Sequence, residues 1–221
     1  MTSFLRPLHL ALLLCAALTA CAPDRPVVTR PPSAGPAPIQ TPASGPAAQC
    51  YASLDRMPGL QYRPLAPRRT TEGCGFDDGV QLLQVGVPIA GITAMSCPVA
   101  GALYRWIEEG LQPAAQRHFG QQVVRITSYG TYSCRSVNSR PGARLSEHSY
   151  ANAVDIAAFE LADGRTIGVE TGWRAGGAST AFLKDVHRAA CQTFQIVIGP
   201  DGDRFHQDHI HMDMGRGPYC R

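Results

Sequence analysis

The chain has 221 residues, which suits one ordinary domain with appendages, and its 44% hydrophobic and 17% charged residues exclude wholesale disorder. A formal net charge of +3 is too small for a nucleic-acid footprint, so no nucleic-acid partner is expected. Eight Cys and 18 Pro are both high counts, and both are unevenly placed along the chain.

Residues 1–20, MTSFLRPLHLALLLCAALTA, put Arg6 ahead of an almost continuously apolar run, Leu8–Ala20. A spanning helix takes about 20 apolar residues, so this shorter run predicts a secretory signal rather than a membrane span. It ends in Leu18-Thr19-Ala20-Cys21, which resembles a bacterial lipobox. That resemblance implies a diacylated Cys21 at the mature N-terminus. Ala22 after it resembles the sorting signal for the periplasmic face of a Gram-negative outer membrane. Lipid chains would hold the protein there by burying roughly 0.8 kcal/mol per CH₂.

Residues 21–48 carry eight Pro among Ala, Ser and Gly, and such a stretch cannot bury a core. It reads as an extended tether, reaching roughly 80 Å at polyproline dimensions. Removing Cys15 with the signal and Cys21 to lipid leaves Cys50, Cys74, Cys97, Cys134, Cys191 and Cys220. An even number in an oxidising compartment predicts three disulfides, with pairing open. No C-x-x-C pair is present, which argues against a cysteine zinc site or a redox motif.

The folded part is expected over residues 49–221. Val80–Ile92 reads as strand, broken by Gly86 and Pro88. Ser96 then caps a helix with apolar positions at Val99, Leu103, Trp106, Ile107 and Leu111. Gly120 ends that helix, and Pro113 sits where it could kink. Strands are predicted over 122–128 and 153–159, with a return strand over 165–169 after the Asp163-Gly164 turn. A second helix capped by Ser179 or Thr180 precedes a strand over 195–198 and a last strand, DHIHMDM, over 208–214. Together these predict an α+β domain: a small central antiparallel sheet carrying the site, flanked by two or more helices and stapled by disulfides.

Four of the seven His fall in two short segments, 146–155 and 206–213. Read as a strand, the second puts His209, His211 and Asp213 on one face and Ile210, Met212 and Met214 on the other. One face then belongs to the core and the other offers metal-competent groups. Asp155 lies in an apolar run, where a carboxylate is costly unless paired with an Arg or bound to metal. His148, Asp155 and His211 thus form a candidate ligand set. Zn²⁺ suits it, and three protein ligands leave a fourth position for water, the layout of a catalytic site. His118 at a helix end and His187 within a helix read as structural residues, as does Trp106, while Trp173 reads as a loop residue near the cleft or a packing anchor.

The pattern Ser146-x-His148-x-x-Ala151-x-Ala153-x-Asp155, followed by Asp208-x-x-His211, resembles the zinc peptidases of the D-alanyl-D-alanine carboxypeptidase/lysostaphin-type (LAS) superfamily. More closely, Tyr132-Ser133-Cys134-Arg135 and the terminal His-x-x-His-x-His-x-Asp resemble the bacterial extensin-like C-terminal domain family, over most of the region from about Cys50 to Arg221. Its label is historical and implies no plant extensin function. The resemblance implies that His148, Asp155 and His211 hold zinc and that Asp208 acts as general base, while strand alternation, which puts Asp208 opposite to His211 unless the strand begins at His209, makes His209 a competitor for that role. It also implies that Arg135 binds a carboxylate or oxyanion, that Ser146 steadies the His148 segment, and that His206 is a further site residue. Peptidoglycan stem peptides or cross-links would be the substrate, with a non-catalytic wall-binding lipoprotein as the alternative. The family's usual Gly in the first motif is Ala151 here.

Overall fold

The computed structural model describes residues 45–221. The expected signal segment, the expected lipidation site Cys21 and nearly all of the expected tether lie outside them.

The chain enters through α1 (Pro46–Leu54), which starts two residues before the tether was expected to end. Pro46 caused that misreading: composition marks it as tether, yet in a first helical turn Pro sacrifices no hydrogen bond. Leu54 is buried, and Cys50 is disulfide-bonded to Cys97. Strand β1 (Leu60–Pro64) and the two-residue strands β2 (Arg68–Arg69) and β3 (Gly75–Phe76) follow. Then come β4 (Gly79–Val85), β5 (Ile89–Ala90) and β6 (Ala94–Ser96), so the expected strand is broken where Gly86 and Pro88 intervene. β1, β4 and β6 form a three-stranded antiparallel sheet.

Helical structure then runs unbroken from α2 (Cys97–Arg105) through a π-helical stretch, Trp106–Leu111, into α3 (Gln112–Phe119). The widened π turn falls just ahead of Pro113, whose missing N–H a regular helix could not use. Gly120 closes the helix in the left-handed conformation, φ 65°. Ser96 occupies the N-cap, but its hydroxyl faces Asn152 Oδ1 at 3.2 Å and does not cap.

Two long strands form the middle of the second sheet: β7 (Val123–Gly130) and β8 (Ala153–Leu161). β9 (Thr166–Gly168) returns beside β8, and a short helix α4 (Val169–Gly172) leads to α5 (Gly177–Thr193). Helix α5 begins ahead of the expected Ser179/Thr180 cap. The Thr180 hydroxyl instead accepts from Gly176 N (2.8 Å) and donates to Gly172 O (2.7 Å), tying the preceding turn to the first helical turn. β10 (Ile196–Ile198), β11 (Ile210–Asp213) and β12 (Tyr219–Cys220) complete a seven-stranded sheet ordered β12-β10-β11-β8-β7-β5, with β9 also against β8. Its four central strands are antiparallel, as expected, and its outer pairs β5–β7 and β10–β12 are parallel.

The fold is therefore α+β. The α2–α3 stretch and α5 share one core with the sheet, built on Leu103, Trp106, Ile107, Ile156, Phe159, Phe182 and Val186. Gly110 is required where the π turn meets α5, because a Cβ there would lie 2.6 Å from that of Ala189. Opposite the Thr127–Ser128 step, β8 advances two residues, from Ala158 to Ile156. This bulge resets the alternation, so Ile156 and Phe159 both reach the core while Asp155 turns to the other face. Three disulfides join Cys50–Cys97, Cys74–Cys134 and Cys191–Cys220.

Candidate metal centre

β8 and β11 pair antiparallel with His211 directly opposite Asp155. Directly opposed residues share a face, so the register delivers one imidazole and one carboxylate side by side. The third group comes from the helical turn Glu147–Tyr150, immediately before β8, which carries His148. Ser146 opens that turn, and its hydroxyl accepts from His148 N at 3.4 Å. Ala151 closes it in the left-handed conformation, φ 54° and ψ 22°. A residue with a Cβ is strained there by about 1–2 kcal/mol, so the position favours Gly.

His148, Asp155 and His211 are all buried, and their ligand atoms lie within 4.8 Å of one another. His148 Nε2 is 3.0 Å from Asp155 Oδ2 and 3.2 Å from His211 Nδ1, which is in turn 2.8 Å from Asp155 Oδ1. The far side of each ring is held as well. His148 Nδ1 donates to the buried Thr131 carbonyl at 2.7 Å, and His211 Nε2 donates to Asp213 Oδ2 at 2.8 Å. The Thr131 carbonyl places the His148 proton on Nδ1 and turns the Nε2 lone pair inward, where it meets His211 Nδ1 and the Asp155 carboxylate. Such convergence requires a cation between them, either a proton or a metal. Two imidazole nitrogens and one carboxylate are a donor set that zinc accepts.

The electrostatics agree with that requirement. Burial works to raise the Asp155 pKa, but the hydrogen bonds and charge of His148 and His211 outweigh it and hold the carboxyl well below its usual range. Burial likewise opposes charge on His211, yet Asp155 and Asp213 together lift it to about 9. A metal at this site therefore competes with a proton on His211.

The remaining sequence candidates divide by position. His209 precedes β11, which begins only at Ile210, so strand alternation does not govern it. Its Nε2 comes within 3.6 Å of Asp155 Oδ1, and its Nδ1 is 2.8 Å from Asp208 Oδ1. Asp208 thus stands behind His209 and does not line the cleft. His206 lines it, with Nδ1 against Asp203 Oδ1 at 2.7 Å, and burial pushes its pKa down despite that partner. Arg135 lies at the edge, with one guanidinium nitrogen 3.6 Å from Asp155 Oδ2. Cys134, bonded to Cys74, anchors the chain just before it.

Three contributors escaped the sequence. Thr131 acts through its backbone, which no side-chain pattern reveals. Tyr129 packs edge-on against His209, with ring centroids 5.7 Å apart, and lies one residue beyond the strand expected over 122–128. Arg144 lines the cleft from a loop without periodicity. The signal for Asp213 was present, since period two aligns it with His211.

His118 pairs with Asp185, and Trp173 is buried with its indole N–H on Asp201. A second His/Cys group, His187 with Cys191 and Cys220, has both sulfurs in a disulfide. No helix among the described residues is long and apolar enough to cross a membrane.

Fold and site define a class: a disulfide-stapled α+β domain with a buried His₂Asp cluster at the floor of a cleft of about 470 Å³. The family model for the extensin-like protein C-terminus matches residues 48–221, and the chain belongs to that family. Searches of curated proteins and of solved structures returned no significant match.

Proposed function

We propose that this protein is a zinc-dependent metallopeptidase of the cell envelope that hydrolyses amide bonds in peptidoglycan stem peptides or cross-links. The observation that carries the reading is the convergence of His148 Nε2, His211 Nδ1 and Asp155 beside an open cleft, with the far nitrogen of each ring held by Thr131 O or Asp213 Oδ2. The motif resemblance to LAS zinc peptidases supplies the substrate class. His148, Asp155 and His211 would hold the metal, which when bound acidifies water and polarises a carbonyl.

The chain's own residues supply the rest. His209 presents Nε2 to the centre and would take the proton, with Asp208 fixing its tautomer through Nδ1. Tyr129 would keep that ring in place. Arg135 would stabilise the oxyanion or bind a carboxylate. Residues 1–48 support placement outside the cytoplasm with Cys21 as the lipid anchor, and three disulfides fit an oxidising compartment.

Digestion of purified sacculi tests this reading. The expected result is new free amines that disappear with chelator, return with zinc, and are absent for His211→Ala. Sacculus binding without new amines would instead favour the non-catalytic wall-binding lipoprotein.

A further inference from the structure

Two groups of residues line the cleft. Ile196, Ile198, Phe205 and Tyr219 come from β10, β12 and the segment before β11. The loop that leaves Arg135 and returns at Ser146 contributes Val137, Asn138, Ser139 and Arg144. The His₂Asp cluster lies on the same cleft.

Four carboxylates and two guanidiniums line this cleft, and they differ in how far they are engaged. Every carboxylate that lines it has a partner: Asp155 has His148 and His211, Asp203 has His206, Asp213 has His211, and Glu147 accepts from Asn152. Arg144 has no ion-pair or side-chain hydrogen-bond partner among the described residues. Among the described residues the only carboxylate paired with Arg135 is Asp155, at 3.6 Å, whose oxygens also face both imidazoles. A guanidinium carries five donors in a planar fork suited to a carboxylate.

The loop itself is fixed in shape. Its neck is closed by Val137 N to Arg144 O (2.9 Å) and Ser146 N to Arg135 O (3.0 Å). Ser139 N bonds Ser136 O at 2.9 Å, and Ser136 Oγ bonds Arg140 O at 2.6 Å. Asn138 and Ser139 are held at φ 54° and 53°, a conformation costly for residues with a Cβ. Backbone strain at a cleft rim that a hydrogen-bonded neck maintains is consistent with a shape kept for a ligand.

We infer that Arg144 is a specificity-determining residue that reads a carboxylate on the substrate, placing it against the 135–146 loop while Ile196, Ile198, Phe205 and Tyr219 contact the rest of the peptide. This rests on the amide-hydrolase reading and narrows its substrate to anionic peptides. The carboxylate has two sources, the peptide's C-terminus or an in-chain acidic side chain.

The test uses the zinc-loaded full chain and three synthetic N-acetylated stem-type peptides: the free acid, its C-terminal amide, and a form with the in-chain acid amidated. KM is read where the peptide is cleaved and a calorimetric Kd where it is not, so the preference is measured even if hydrolysis is absent. Wild type should favour the free acid over one of the two amides by about 30-fold, as expected for a charge-assisted bond. Whichever amide loses names the source. Arg144→Ala should bring that ratio close to one, and Arg144→Lys should restore it in part. Equal treatment of all three peptides by wild type, a ratio unchanged in Arg144→Ala, or no binding of any peptide overturns the inference. Failure to cleave with the acid preference intact would sink the hydrolase reading alone.

Discussion

His209 and Asp208 are neighbours in the chain, yet the fold gives them different positions. Only His209 points a ring nitrogen toward the His₂Asp cluster, and Asp208 holds its other nitrogen. His209→Gln should therefore cost hydrolysis by roughly 10²–10⁴-fold while leaving bound zinc unchanged. Asp208→Asn should cost less, because it perturbs orientation rather than removing the proton acceptor. Turnover measured beside metal content distinguishes the two, and a deeper loss for Asp208→Asn than for His209→Gln would reverse the assignment. His211 and Asp155 were legible because period two in a strand and a lone carboxylate in an apolar run are local patterns; His148, unremarkable alone, stood out only beside them. The choice between Asp208 and His209 was not, because it depends on β11 starting at Ile210, and no local feature of DHIHMDM marks that boundary.

At the scale of elements, α3 and α5 are tied by Asp185, which meets His118, Arg117 and, one turn on, Arg188. The His118 hydrogen bond leads the effects that lower the Asp185 pKa from 3.8 to about 2, with burial opposing. A carboxyl depressed in the folded state contributes stability that is present above its ordinary pKa and is lost as pH falls through the folded value. Solvent screening limits the contribution to about 1 kcal/mol. Asp185→Asn should lower unfolding stability by that amount at neutral pH, and the gap from wild type should close as pH falls from 4 toward 2. Denaturant titrations across that range check it. Element types were largely legible from periodicity, as in the α2–α3 stretch and the β7–β8 pair. Element starts were less so. Pro46 belongs to a helix in a segment whose composition says tether, and the Thr180 hydroxyl serves a turn where a cap was expected.

Across the whole molecule, the disulfides hold the parts that build the cleft. Cys74–Cys134 anchors the loop of Arg135 and Arg144, and Cys191–Cys220 staples β12, with Tyr219, to α5. Their number was legible from counting cysteines, but their pairing depends on which elements become neighbours in space. Joint replacement of Cys191 and Cys220 by Ser should cost about 2–4 kcal/mol of unfolding stability. It should also weaken ligand binding through release of Tyr219, and calorimetry together with thermal melts reads both effects. The central claim is that His148, Asp155 and His211 form a metal centre, and metal analysis of the purified full chain tests it most directly. The account predicts about one zinc per chain for wild type and near none for His148→Ala of unchanged fold. A wild-type protein that takes up no zinc, or a His148→Ala protein that holds as much, would contradict it.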